Sequence, residues 1–192
     1  MSMVAATAPP VEYEPPGMRV IPMSRSDYEL LPEKPKAEWV KGKAYIMMAP
    51  VAFVHGRVSM RLGKVLMDSL KGVDVVGDVG FRMADSDRGP DIMVFPENTA
   101  SGTFVKEIPV LIAEIISPST RTQDYIAKAS EYARAGVGQY WIIDPKLEII
   151  TLLSNDGADG WNLISEVNSD HPTVEVPVSN YGIVSVNLTS IL

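Results

Sequence analysis

With 192 residues, 46% of them apolar, the chain is long enough to bury one good core and short for two domains. The absence of cysteine excludes a disulfide framework and any thiolate zinc site, and two histidines, His55 and His171, are too few for a histidine-dominated metal site, so a bound metal must lean on oxygen ligands and be hard, Mg²⁺ or Mn²⁺. A net charge of -7 argues against a strong sequence-independent grip on nucleic acid, and the lack of a membrane-length apolar run or a basic-then-apolar leader makes a soluble, cytoplasmic protein with no membrane partner the expectation.

Residues 1–24 carry Pro9, Pro10, Pro15, Pro16 and Pro22 with little periodicity and read as a flexible or extended arm, which leaves 25–192 as a single domain. Two strands around Ala37–Val40 and Ala44–Met48 flank Lys41-Gly42-Lys43, where the glycine makes a tight hairpin the natural join. From Ala52 to Leu70 the residues Val54, Val58, Leu62, Val65, Leu66 and Leu70 recur at helical spacing, with Arg57, Arg61 and Lys64 on another face. Gly72 ends this helix. Val73–Arg82 then reads as a strand, Ala84–Gly89 as a polar loop and Asp91–Phe95 as a second short strand.

Ile108–Ile116 is a near-continuous apolar run between Pro109 and Pro118, the pattern of a strand covered on both faces at the centre of a sheet. Thr120 and Gln123 form a capping-box pattern for a helix whose stripe is Ile126, Ala129, Ala133 and Gly136, with Tyr125 and Tyr132 on its flank. Tyr140–Asp144 closes a strand-helix-strand unit. Glu148–Leu153, Trp161–Glu166 and Thr173–Val176 look like extra antiparallel strands separated by polar turns, and a short helix or coil ends the chain.

Glu114 interrupts the apolar run. An ionised carboxylate there is unfavourable by several kcal/mol unless a cation or strong donors compensate it. Asp91 opens the preceding strand, and if the two strands are neighbours, both carboxylates lie within reach of one Mg²⁺. Lys128 sits beside the apolar stripe of its helix, so its amine could fold back toward the strand ends and stabilise developing charge or orient a water. Each residue has a plainer reading beside this one. Lys128 could pair with Asp124 four residues earlier, Asp91 could cap a strand entry, His55 could be a satisfied half-buried ring and Glu38 a solvated charge beside a hairpin. No glycine-rich phosphate loop and no Ser-His-Asp arrangement is present.

The residues Pro90-Asp91, Ala113 to Thr120, Asp124, Lys128, Tyr132 and Gly136 to Pro145, with Glu38, Gly42 and His55 upstream, resemble the Uma2 (formerly DUF820) family of the PD-(D/E)XK nuclease superfamily. The resemblance covers about residues 25–190. It implies an α/β restriction-endonuclease-like core, a mixed β-sheet flanked by helices. It also implies metal binding by Asp91 and Glu114, a displaced catalytic lysine at Lys128, and a homodimer. The usual superfamily lysine stands two residues after the acidic ligand, and that position here is Ile116. The expected function is a Mg²⁺-dependent endonuclease acting on DNA, with Glu38 and His55 as lesser members of the site. The competing expectation is a catalytically degenerate module that keeps the nuclease fold and binds nucleic acid or protein.

Overall fold

The computed structural model describes residues 17–192 apart from 33, 49, 117–122 and 159, and residues 123–125 by their backbone alone. Met18–Pro22 (β1) and the short helix Arg25–Tyr28 (α1) precede the hairpin Ala37–Val40 (β2) and Lys43–Met47 (β3). The end of the expected arm is therefore a strand, because β1 finds an edge to pair with: it runs antiparallel to β3 from Met18↔Met47 to Pro22↔Lys43. The hairpin forms as expected, with Val40 paired to Lys43 and positive φ at both Lys41 (45°) and Gly42 (85°), the conformation a two-residue turn demands.

Phe53–Ser69 (α2) is followed by Val73–Val76 (β4), Gly80–Arg82 (β5), Ser86–Arg88 (β6), Ile92–Pro96 (β7) and Phe104–Val105 (β8). The expected single strand 73–82 is thus broken, and its halves join different sheets. The corner falls at Gly77 and Asp78, where Asp78 has φ 57° and a Cβ on Gly77 would lie 2.9 Å from the Asp91 carbonyl oxygen. The expected polar loop 84–89 is also corrected, since Ser86, Asp87 and Arg88 form a strand whose three residues are all buried.

Leu111–Ile115 (β9), Gln123–Ala135 (α3) and Gln139–Asp144 (β10) make the strand-helix-strand unit, with β9 and β10 parallel and adjacent. Ile149–Asn155 (β11), Trp161–Val167 (β12), Thr173–Val178 (β13), Gly182–Asn187 (β14) and Leu188–Ile191 (α4) complete the chain. Strand β14 has no counterpart among the strands expected from the sequence. One six-stranded sheet runs β1-β3-β2-β6-β5-β8, a second runs β12-β11-β10-β9-β7-β4, and β13 and β14 pair separately.

The second sheet is the centre of the molecule. Alternation along its strands sends Ile92, Val94, Leu111, Ala113 and Ile115 to one face, where they pack with Val58, Leu62 and Leu66 of α2 and with Val184 and Val186 of β14. Met93, Phe95 and Ile112 point the other way, toward Tyr132 of α3 and Phe81 of β5. Buried apolar area on this scale, at about 25 cal/mol per Å², is what offsets the entropy of ordering the chain. Of the apolar stripe predicted for α3, Ala129 and Ala133 do pack inward, but the inward face is rotated away from Ile126 toward Lys128 and Tyr132. Ile126 is 67% exposed, whereas Lys128 and Tyr132, one turn apart, are buried.

Candidate active site

The inward turn of Lys128 and Tyr132 on α3 is explained by what meets them. Glu114 lies on the same face of β9 as Ile112, and its Oε1 sits 3.1 Å from the Lys128 ammonium and accepts a 2.8 Å hydrogen bond from the Tyr132 hydroxyl. The carboxylate that interrupts the apolar strand is thereby compensated by two residues of one helix face. Burial pushes the Tyr132 phenol well above its ordinary pKa and the Glu114 charge adds to this, so the hydroxyl stays a donor.

Lys128 also lies 3.1 Å from Oε1 of Glu38, on β2. Glu38 is only 2% exposed, which removes the reading of it as a solvated charge. Its other oxygen takes Nη1 of Arg88 at 2.9 Å, and the Gly89 amide donates to Oε1 at 3.1 Å. Burial raises the Glu38 pKa, but Lys128 and Arg88 together with the Gly89 amide outweigh it and hold the carboxyl at about 2. Arg88 is fixed from behind by a two-pronged pairing with Glu131 of α3, Nε to Oε2 at 2.7 Å and Nη2 to Oε1 at 2.9 Å, and Ser86 adds a bond to Oε2.

Asp91 stands at the entry to β7, which pairs with β9 through Ile92↔Ala113. Its Oδ2 accepts from the Ile115 amide at 2.8 Å and contacts Nε2 of His55, in the first turn of α2, at 3.1 Å. Among the described residues Oδ1 carries no hydrogen bond. Burial pushes the Asp91 carboxyl up, yet the bonds from His55 and Ile115 hold it below its ordinary value. The same hydrogen bond raises His55 against the lowering effect of its burial.

All five residues singled out from the sequence, Glu38, His55, Asp91, Glu114 and Lys128, line one groove of about 1640 Å³. Arg88 and Glu131 are members that the sequence does not single out, and Tyr132, part of the family motif, gains a role there as a donor to Glu114. The signal for Arg88 and Glu131 is a cluster of charges in Ser86-Asp87-Arg88 and on α3, but its composition looks like solvent-exposed loop and helix surface. Asp124, the proposed surface partner of Lys128, has a side chain outside the described residues, as have Ser117 to Thr120 of the quoted motif.

Oxygen donors and the absence of cysteine suit a hard divalent ion. Among the described residues no three acidic or histidine groups cluster tightly enough to cage a metal unaided. A Mg²⁺ ion needs no such cage, since it is commonly held by one or two carboxylates and keeps several waters, so the pair Asp91 and Glu114 fits it. Around the site, four carboxylates (Glu38, Asp91, Glu114 and Glu131) face three permanent cations, Arg88 and Lys128 in direct contact and Lys36 close enough to help hold Asp91 ionised, so the carboxylates are in excess.

The arrangement of a mixed central sheet with α2 and α3 on opposite faces is the restriction-endonuclease-like fold. It matches the crystal structure of "a putative nuclease belonging to DUF820" from Anabaena variabilis ATCC 29413 with a TM-score of 0.67 at 19% identity, over 86% of this chain and 95% of that one. Residues 25–184 match the Uma2 family, described as "Putative restriction endonuclease", and the chain belongs to that family. No curated protein matches it.

Proposed function

We propose that the chain is an endonuclease that uses Mg²⁺ or Mn²⁺ to hydrolyse DNA phosphodiester bonds, working as a cytoplasmic homodimer, with Asp91 and Glu114 as the metal ligands. The observation that carries this reading is that two carboxylates, Asp91 at the entry to β7 and Glu114 on the neighbouring β9, line one open groove together with the Lys128 ammonium that pairs with Glu114. Membership of the Uma2 family supports the hydrolytic class. No helix among the described residues is long and apolar enough to cross a membrane.

A divalent ion at this position supplies Lewis acidity toward the scissile phosphate and lowers the pKa of a nearby water. The protein's own groups do the remainder. Asp91 stays ionised because His55 and the Ile115 amide stabilise its charged form, and its Oδ1 is left for a ligand. Lys128 is charged and aimed by Glu38 on one side and Glu114 on the other, so it can donate to a phosphate oxygen as negative charge builds there or orient the attacking water. Lys128 does the work of the ammonium that Ile116 cannot provide. Arg88 and Glu131 lie one shell further out and keep Glu38 in place.

The test is cleavage of plasmid and of single-stranded oligonucleotide by the purified chain with Mg²⁺, Mn²⁺ or EDTA. Cleavage should require the metal and fall by at least about 10²-fold in Glu114→Ala, with the fold retained. Equal nicking by wild type and Glu114→Ala would assign the activity to a contaminant and leave the chain as a binding module on a nuclease fold.

A further inference from the structure

The groove is well furnished with carboxylates yet poor in the free cations that grip a duplex. Of its lining cations, Arg88 and Lys128 are held by Glu38, Glu131 and Glu114. Arg82 is held by Asp87 and Glu29, and Lys36 lies 3.5 Å from Asp78. Lys34 alone among these lining cations has no carboxylate partner among the described residues. Duplex affinity comes mostly from neutralised phosphates, and a chain of net charge -7 with such a groove has few to offer.

The groove's rim is apolar instead. Between β3 and α2 the chain presents Met48 (62% exposed) and Val51 (71% exposed) beside Pro50 and Ala52, next to His55. Val79 and the ring of Phe104 also line the groove, the latter anchored by the Arg82 guanidinium 4.5 Å from its centroid. Apolar surface left in water around a site whose cations are already taken up by carboxylates favours the faces of bases over the phosphate backbone, and in a paired duplex those faces are already stacked.

Resting on the nuclease reading above, we propose that the groove's substrate is a nucleic-acid strand with unpaired bases, seated against the apolar rim and wall, and not a fully paired duplex. The bases supply the affinity and the carboxylate pair at the floor meets the backbone. Met48 and Val51 are substrate-binding residues in this account.

The experiment is fluorescence anisotropy in EDTA with the full chain, using a fluorescein-labelled single strand and the same strand annealed to its complement. The single strand should bind at least about tenfold tighter, with a salt slope of roughly -1, equivalent to one or two phosphate contacts. Met48→Ser with Val51→Ser should weaken single-strand binding about tenfold and leave the slope unchanged, because only apolar contact is lost. Leu163→Ser, at an exposed apolar position of β12 outside the groove, should change nothing. Equal or tighter duplex binding, a steep slope, no binding to either probe, or unaltered binding by the double variant would overturn the proposal, as would a change of sedimentation mass in that variant, which would give the rim to a second copy. Failure of the nuclease reading is separate: it would appear as single-strand binding without metal-dependent cleavage.

Discussion

Two charged clusters lie back to back across strand β6, and they differ in a way that separates structure from chemistry. Asp87 points to one side, where Arg82 grips it at 3.0 and 3.1 Å, Arg25 lies 3.4 Å away and Glu29 takes the remaining end of Arg82. Two cations meet two carboxylates, the charge closes to zero, and Arg25 also covers the Trp39 ring at 4.6 Å. Arg88 points to the other side, into a cluster with more carboxylates than permanent cations that opens on the groove. A balanced buried cluster positions strands. An unbalanced one, held together at the expense of stability, is poised to accept positive charge.

Substitutions on the two sides should therefore separate stability from activity. Arg88→Met leaves Glu38 and Glu131 without their shared cation and should cost about 3–5 kcal/mol of stability, with loss of cleavage. Asp87→Asn should cost a comparable amount in thermal melts yet leave cleavage nearly unchanged at temperatures where the variant is folded. If Asp87→Asn instead abolished cleavage in the folded protein, the division between the two clusters would be wrong.

The acid limb of stability sharpens the same contrast. The Glu38 carboxyl is held at about 2 in the folded protein, below the ordinary carboxylate value, so its stabilisation is complete above that ordinary value and is lost as pH falls from about 4.5 toward 2. Urea unfolding across this window should show Glu38→Gln losing up to about 3 kcal/mol less than wild type. A parallel decline in both proteins would contradict the pairing.

The smallest effect concerns His55. Its folded pKa is raised above the unfolded value by Asp91, so its contribution is present below about 6.5 and disappears as pH rises through the folded pKa. His55→Gln should thus lower the melting temperature by a few degrees near pH 5.5 and by less near pH 9, measured by circular dichroism. An equal loss at both pH values would mean that the ring acts by packing.

How far the sequence disclosed this site depends on whether each signal was local. Glu114 was legible because a carboxylate inside an apolar strand has no local partner, and the Lys41-Gly42 hairpin because the turn itself needs the glycine. The inward face of α3 was legible in part: Ala129, Ala133 and the inward reach of Lys128 follow from spacing, but the full burial of Lys128 does not, because it is tolerable only with Glu38 and Glu114, which arrive from other strands. Strand β6 reads as a loop for the same reason: its charges are silenced by partners on both faces, and composition carries no trace of them. Strand β14 was missed because its burial depends on α2 and β13, against which it packs.

The central claim is that Asp91 and Glu114 hold a divalent ion beside Lys128, and anomalous diffraction from a crystal soaked in Mn²⁺ tests it most directly. The account predicts a manganese peak in contact with both carboxylates that is lost in Asp91→Asn. A crystal saturated with Mn²⁺ that shows no peak between them, or the same peak in Asp91→Asn, would contradict it.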